Sequence, residues 1–230
     1  MSATHSVHYD IRNEKRKWSV RMQLPLQEHG HQPGGADITP WVRLGFNQCE
    51  HCRLSDQACC PIARAIEYYA SALEDWVSYD DVVVRVTLNA GLVSEKQTSA
   101  QQVLSSILGI IIASESECEH TRVLLPMVYF HRPFATQEES IYRALANMAL
   151  ISRLRGSTEP FSDFVVRKYE AIHQLNVGIV RRIQAIHPEW EALINALINL
   201  DTFAKGILFH ARHEFTSLEN LDLILADDLP

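Results

Sequence analysis

Four of the five cysteines fall in one short stretch: Cys49 and Cys52 are separated by Glu50 and His51, and Cys59, Cys60 and Pro61 follow a short polar segment. Cys118, Glu119 and His120 arrive much later in the chain. A tight C-x-x-C turn lets two thiolates approach one ion, and a third thiolate nearby plus one from a distant loop complete a tetrahedron. The spacing therefore selects Cys49, Cys52, Cys60 and Cys118 as metal ligands. His120 and His131 are the residues that could replace a thiolate or sit behind one.

Other chemistries fit the same residues less well. An odd number of cysteines with no secretion-type leader argues against a disulfide framework. Inert buried thiols are a competing reading, because cysteine packs as a small hydrophobe; the neighbours Glu50, His51, Arg53, Ser55 and Asp56 have the composition of a polar loop instead. A thioredoxin-like pair needs its C-x-x-C at a strand-to-helix junction, whereas Cys52 leads into a loop. Cys60 stands at a predicted helix start, which favours its thiolate for metal binding or for reactivity alike. Four thiolates suit Zn²⁺, the first choice here, and also an iron–sulfur cluster, although the dense cysteine run of the common clusters is absent. His51 is expected to face solvent, and His29 and His31 lie in a glycine-containing loop. His210 and His213 are one helical turn apart without a third ligand in a known pattern.

The elements that must position these residues follow from periodicity. Val7, Tyr9 and Ile11, then Trp18, Val20, Met22 and Leu24, alternate with polar neighbours and predict a β-hairpin whose turn carries Lys15, Arg16 and Lys17. Residues 25–40 read as a loop. Pro61 opens a helix bearing Ile62, Ile66, Tyr69, Leu73 and Trp76 on one face, with Cys60 near its N-cap. Residues 82–88 predict a third strand in the same sheet. Thr98 and Gln101 have capping-box spacing ahead of an apolar, centrally buried helix. Residues 123–130, VLLPMVYF, predict a strand that Pro126 confines to an edge. Thr136 and Glu139 open the next helix, which stops at Gly156; a long helix follows from Phe161 to Ile186, and Pro188 is placed at the first position of the last. The expectation is a single α+β domain over 1–230, with a small N-terminal antiparallel sheet and the cysteines in 1–97 and a helical layer in 98–230.

Composition bounds the function. Hydrophobic residues make up 47% and charged residues 21%, as in ordinary globular chains. A net charge of −7 with scattered cations lacks the footprint of a nucleic-acid binder. The longest apolar run, Ile107 to Ala113, is far short of the ~20 residues that span a bilayer, and the N-terminus lacks the apolar core of a secretion signal. A cytoplasmic protein with no membrane or nucleic-acid partner is expected. The C-terminal helices carry enough apolar surface for a homodimer, although core burial accounts for the same residues. Nucleotide loops, nucleophile elbows and paired catalytic carboxylates are missing.

The segments FNQCEHC, CPIA, YDDVVV, TSAQQVLSSILGIIIASESECEHT and PMVYFHRPFATQEESIYRA together resemble a family of uncharacterised bacterial proteins, a domain of unknown function. The resemblance covers most of the chain and implies the pattern C-x-x-C-x7-C-P followed by C-x-H-T. Cys49, Cys52, Cys60, Cys118 and His120 match it, and Cys59 falls outside it as a spare thiol. The leading expectation is a zinc-binding, non-enzymatic binding or regulatory module; an iron–sulfur protein for electron transfer or redox sensing is the alternative. A metal-dependent enzyme using Glu117, Glu119 or His131 ranks last.

Overall fold

The computed structural model describes residues 5–24, 38–55, 58–74, 76–89 and 91–216. Of the expected loop over 25–40, residues 25–37, with His29 and His31, lie outside them, and Pro40 opens a 3-10 turn, Pro40–Val42. The hairpin forms as expected: β1 (His5–Arg12) pairs antiparallel with β2 (Lys17–Leu24), and Tyr9 sits opposite Val20. Asn13 closes the turn with its side-chain oxygen, accepting from the amides of Lys15 and Arg16, so the basic run is an exposed turn. β3 (Asp81–Leu88) joins the other side of β1. The four-stranded order is β2-β1-β3-β4, antiparallel throughout.

The sequence reading missed β4 (Leu92–Ser99), and its burial explains why. Leu92 and Val93 are exposed and the strand continues as Ser-Glu-Lys-Gln, so neither face shows apolar alternation. Charges on an outer strand discourage pairing with another chain. The proposed Thr98 and Gln101 capping box shifts with it: Thr98 belongs to β4, and Ser99 is the N-cap of α2 (Ala100–Ser114), accepting from the Gln102 amide. The sheet-containing part thus extends to residue 99, two residues beyond the boundary read from sequence.

Val7, Tyr9, Ile11, Val20, Met22, Leu24, Val82, Val84 and Val86 form the buried face of the sheet. α2 and α1 (Pro61–Leu73) are part of the core that covers it. Trp76 lies beyond α1, buried, its indole donating to the Ala72 carbonyl. The expected edge strand over 123–130 is helical instead: a 3-10 turn, Arg122–Leu124, runs into the short α3 (Leu125–Tyr129). Pro126 decides this, because its missing N–H falls in a first turn whose donors have no intrahelical partner.

α4 (Gln137–Leu154) begins with the expected reciprocal capping box between Thr136 and Glu139, and Gly156 ends it at φ +62°. α5 (Phe161–Ile186) and α6 (Glu191–Arg212) are the most extensively packed pair of elements. α6 starts later than Pro188: Pro188 and Glu189 form a turn in which the Trp190 amide donates to the His187 carbonyl and the two rings stack. α6 is also long and apolar enough, by length and composition alone, to cross a membrane; half of its apolar window is buried in the protein. Its Asp201 binds His173 of α5 at 2.6 Å and Lys205 at 2.8 Å. Two hydrophobic clusters result. One joins the sheet, α1, α2 and the C-terminal half of α5, and the other joins α4 to the N-terminal half of α5 and the end of α6.

Candidate functional site

Three chain segments carry the cysteines, and the fold brings them side by side. In the first, the Cys52 amide donates to the Cys49 carbonyl at 3.1 Å, closing the C-x-x-C turn just after Asn47, which is left-handed at φ +46°. This turn presses on α5: a Cβ added to Gly178 would lie 3.4 Å from the Cys49 sulfur. In the second, residues 58–60 run antiparallel to 42–44, with Leu44 donating to Ala58 and Cys60 donating to Val42. That pairing delivers Cys60 to the N-cap of α1, with Pro61 in the first turn as expected. The third is the loop between α2 and the 3-10 turn, where the Thr121 hydroxyl ties the Glu115 and Cys118 carbonyls together. Two ion pairs staple these segments. Arg64 of α1 meets Glu117 at 3.0 Å, and Arg53, just past Cys52, meets Glu119 at 3.5 Å.

All five cysteines are free thiols. Burial pushes the Cys49 thiol up to about 11, helped by Cys60 and Cys52 and opposed by Arg182. Burial likewise raises Cys60, against the pull of Arg182 and of the Ala63 and Ile62 amides. Cys118 rises to about 12 through burial, opposed first by the His120 amide, while Cys60 adds to the rise. Electrostatic coupling thus links Cys49, Cys52 and Cys60, and reaches Cys118 only through Cys60. Cys59 stands apart, its thiol raised by burial and lowered by Arg64. Among the described residues, no three His, Cys, Asp or Glu side chains stand close enough together to hold an ion as they are placed.

The residue that sequence reasoning missed is Arg182. It is 1% exposed near the C-terminal end of α5, and its guanidinium donates to the carbonyls of Trp41, Arg43 and Leu44 at 2.7–2.8 Å. Its Nε has no partner. A buried cation normally faces a carboxylate; this one faces the cysteine segments. The signal was present: Arg182 follows Leu175 and Ile179 on the apolar stripe of α5, where a charge is out of place.

This chain belongs to the family described as a domain of unknown function (DUF6901). The family model matches residues 9–222. No curated protein and no solved structure matches the chain. The matched residues take in most of the sheet, the cysteine segments and α1 to α6, and the family description assigns none of them a role.

The histidines separate. His120 is half-buried beside Cys118, its basicity lowered by burial although Glu119 opposes this, and His51 is exposed. His213 caps the end of α6 by bonding the Phe209 carbonyl. His131 points elsewhere: its Nε2 lies 3.0 Å from the Tyr9 hydroxyl, which also meets Ser106 at 2.7 Å. Burial, with Arg143 adding, pushes His131 down to about 4. The unfolded chain, with an ordinary histidine near 6.5, therefore binds a proton between about pH 6.5 and 4 that the folded protein refuses. Stability is expected to fall as the pH drops through that window, with His131 accounting for about 3 kcal/mol. Urea melts of wild type and His131→Gln at both ends of the window check this: the variant should lose less stability on acidification, and equal losses would refute the assignment.

Proposed function

We propose that Cys49, Cys52, Cys60 and Cys118 take a metal ion, Zn²⁺ first, that pins the three cysteine-bearing segments together, in a protein acting as a non-enzymatic binding or regulatory module. The observation that carries this reading is the buried Arg182 guanidinium acting on Cys49 and Cys60, with no carboxylate paired to it among the described residues. A tetrathiolate zinc centre carries two net negative charges, and a buried cation beside it reduces the cost of holding them away from water. Backbone amides support the same state: those of Ile62 and Ala63 face Cys60, and those of His120 and Thr121 face Cys118. Amides aimed at sulfur stabilise thiolate over thiol.

Binding requires the thiol side chains to turn toward a common point, because no three of them converge as placed. It also releases protons, since burial holds Cys49 and Cys118 neutral without an ion, so affinity falls as the pH falls. His120 is close enough to Cys118 in sequence to stand behind it or replace it. Glu117 and Glu119 are each paired with an arginine, Arg64 and Arg53.

A second reading has its own observation. Cys59, Cys60 and Cys118 are each under 9% exposed and belong to the main hydrophobic cluster, so the thiols could serve as packing alone. An iron–sulfur cluster would use the same four thiolates. One experiment separates the three: protein purified without added metal under anaerobic conditions is assayed for zinc and iron, and its visible spectrum is recorded. About one zinc per chain and no colour is the expected result. Broad absorbance near ~400 nm with iron would assign a cluster. A colourless protein free of both metals would leave the thiols as core residues.

A further inference from the structure

A cavity of about 490 Å³ lies away from the cysteines, walled by the sheet, α2, α3, α5 and α6. Its size is in the range of small-molecule sites. The wall is largely aliphatic, from side chains such as Ile110, Val128 and Ile172, and these are interrupted by a few polar groups. Tyr9, Ser106 and His131 form one hydrogen-bonded chain along it. Tyr169 is the second polar feature: its ring is 1% exposed, it lines the cavity, and its hydroxyl has no partner.

The charges of the lining share one sign. Lys96, Arg132 and Arg143 contribute to the wall, and among the described residues that line it there is no Asp or Glu, in a chain whose net charge is −7. Arg143 spends one nitrogen on the Met127 and Phe130 carbonyls. Glu139 stands behind the rim, 3.7 Å from Arg132 and bound to the Thr136 amide. Lys96 and Arg132 are exposed, whereas Ile110 and Tyr169 are buried, so the cations mark the mouth and the aliphatic groups the interior.

We propose that this cavity binds a small amphipathic monocarboxylate, with its apolar body against Ile110, Val128 and Ile172 and its carboxylate among Lys96, Arg132 and Arg143. The site is independent of the metal reading and stands or falls by itself. Octanoate is the probe, compared by calorimetric titration with 1-octanol and octylamine, which share its chain but not its charge. Saturable binding of octanoate is expected, roughly tenfold tighter than the alcohol, with the amine weaker still.

Three variants locate the site. Gly109 lines the cavity and a Cβ there would meet only the Leu200 side chain, at 3.6 Å, so Gly109→Leu should fill the space and abolish binding. Circular dichroism establishes that this variant is folded. Tyr169→Phe removes a hydroxyl that bonds nothing in the protein and lies away from the mouth, so it serves as a control that should fold as well as wild type and leave octanoate affinity unchanged. The exposed pair Lys96→Met and Arg132→Met should weaken octanoate and leave 1-octanol unchanged. Equal affinity for acid, alcohol and amine, absence of saturable binding, or binding that survives Gly109→Leu in the folded variant would each overturn the proposal.

Discussion

Cys118→Ala is expected to lower the thermal midpoint by roughly 10–20 °C, and a strong chelator to do the same to wild type while leaving the variant unchanged. Structural zinc contributes apparent binding energies of ~10–16 kcal/mol in zinc-finger peptides, and an ion bound only by the folded state adds directly to stability. Losing one of four ligands should forfeit about 5 kcal/mol of it, and each kcal/mol moves the midpoint of a chain this long by about 2–4 °C. Cys59→Ala supplies the control. Cys59 is as buried as Cys118, at 6% and 7% exposure, yet outside the coupled set. Truncating a small buried side chain there should cost only about 1 kcal/mol. Equal losses in the two variants, with no response to chelator, would mean that both thiols are packing groups.

Arg182→Met is the second large effect, expected to destabilise the protein by about 4 kcal/mol whether or not metal is present. Methionine keeps the aliphatic stem and removes the fork that holds the Trp41, Arg43 and Leu44 carbonyls. Hydrogen bonds from a charged donor contribute about 1.5–3 kcal/mol each, and buried acceptors left alone add their own desolvation cost. Chemical denaturation measures the loss. If the ion is bound, zinc affinity should fall as well, because the thiolate charges lose their neighbouring cation. A stability loss under about 1 kcal/mol would show that water replaces the guanidinium at little cost.

How much of this was legible in the sequence depends on whether the signal was local. The hairpin was readable because Tyr9, Ile11, Val20 and Met22 alternate with polar neighbours, and the Thr136–Glu139 cap because its two partners are three residues apart. β4 was invisible because its order comes from pairing with β3 and not from any apolar face of its own. Residues 123–130 misled because β-branched content suggests a strand, while burial against α2 and α4 and the placement of Pro126 favour a helical turn. For the cysteines, spacing singled out Cys49, Cys52, Cys60 and Cys118, and the fold lays their three segments side by side without bringing three ligands to one point. Spacing held no information about the cation behind that set, since Arg182 reaches it only through the tertiary fold. The cavity was equally hidden: Tyr9, Lys96, Ser106, Arg143 and Tyr169 are scattered along the chain and share no motif.

The bonds from Arg182 to residues 41–44 span 138 to 141 positions of sequence. On a ribosome adding about 5–20 residues per second, the early partners wait roughly 7–30 s before their donor has even been polymerised. During that interval the carbonyls of Trp41, Arg43 and Leu44 lack the guanidinium, although Arg43 can already accept from the Phe46 amide, and Cys49 has no α5 to press against. The loop that carries the first thiols is thus made well before the helix it packs against, and its contacts with α5 form only after that helix has been synthesised.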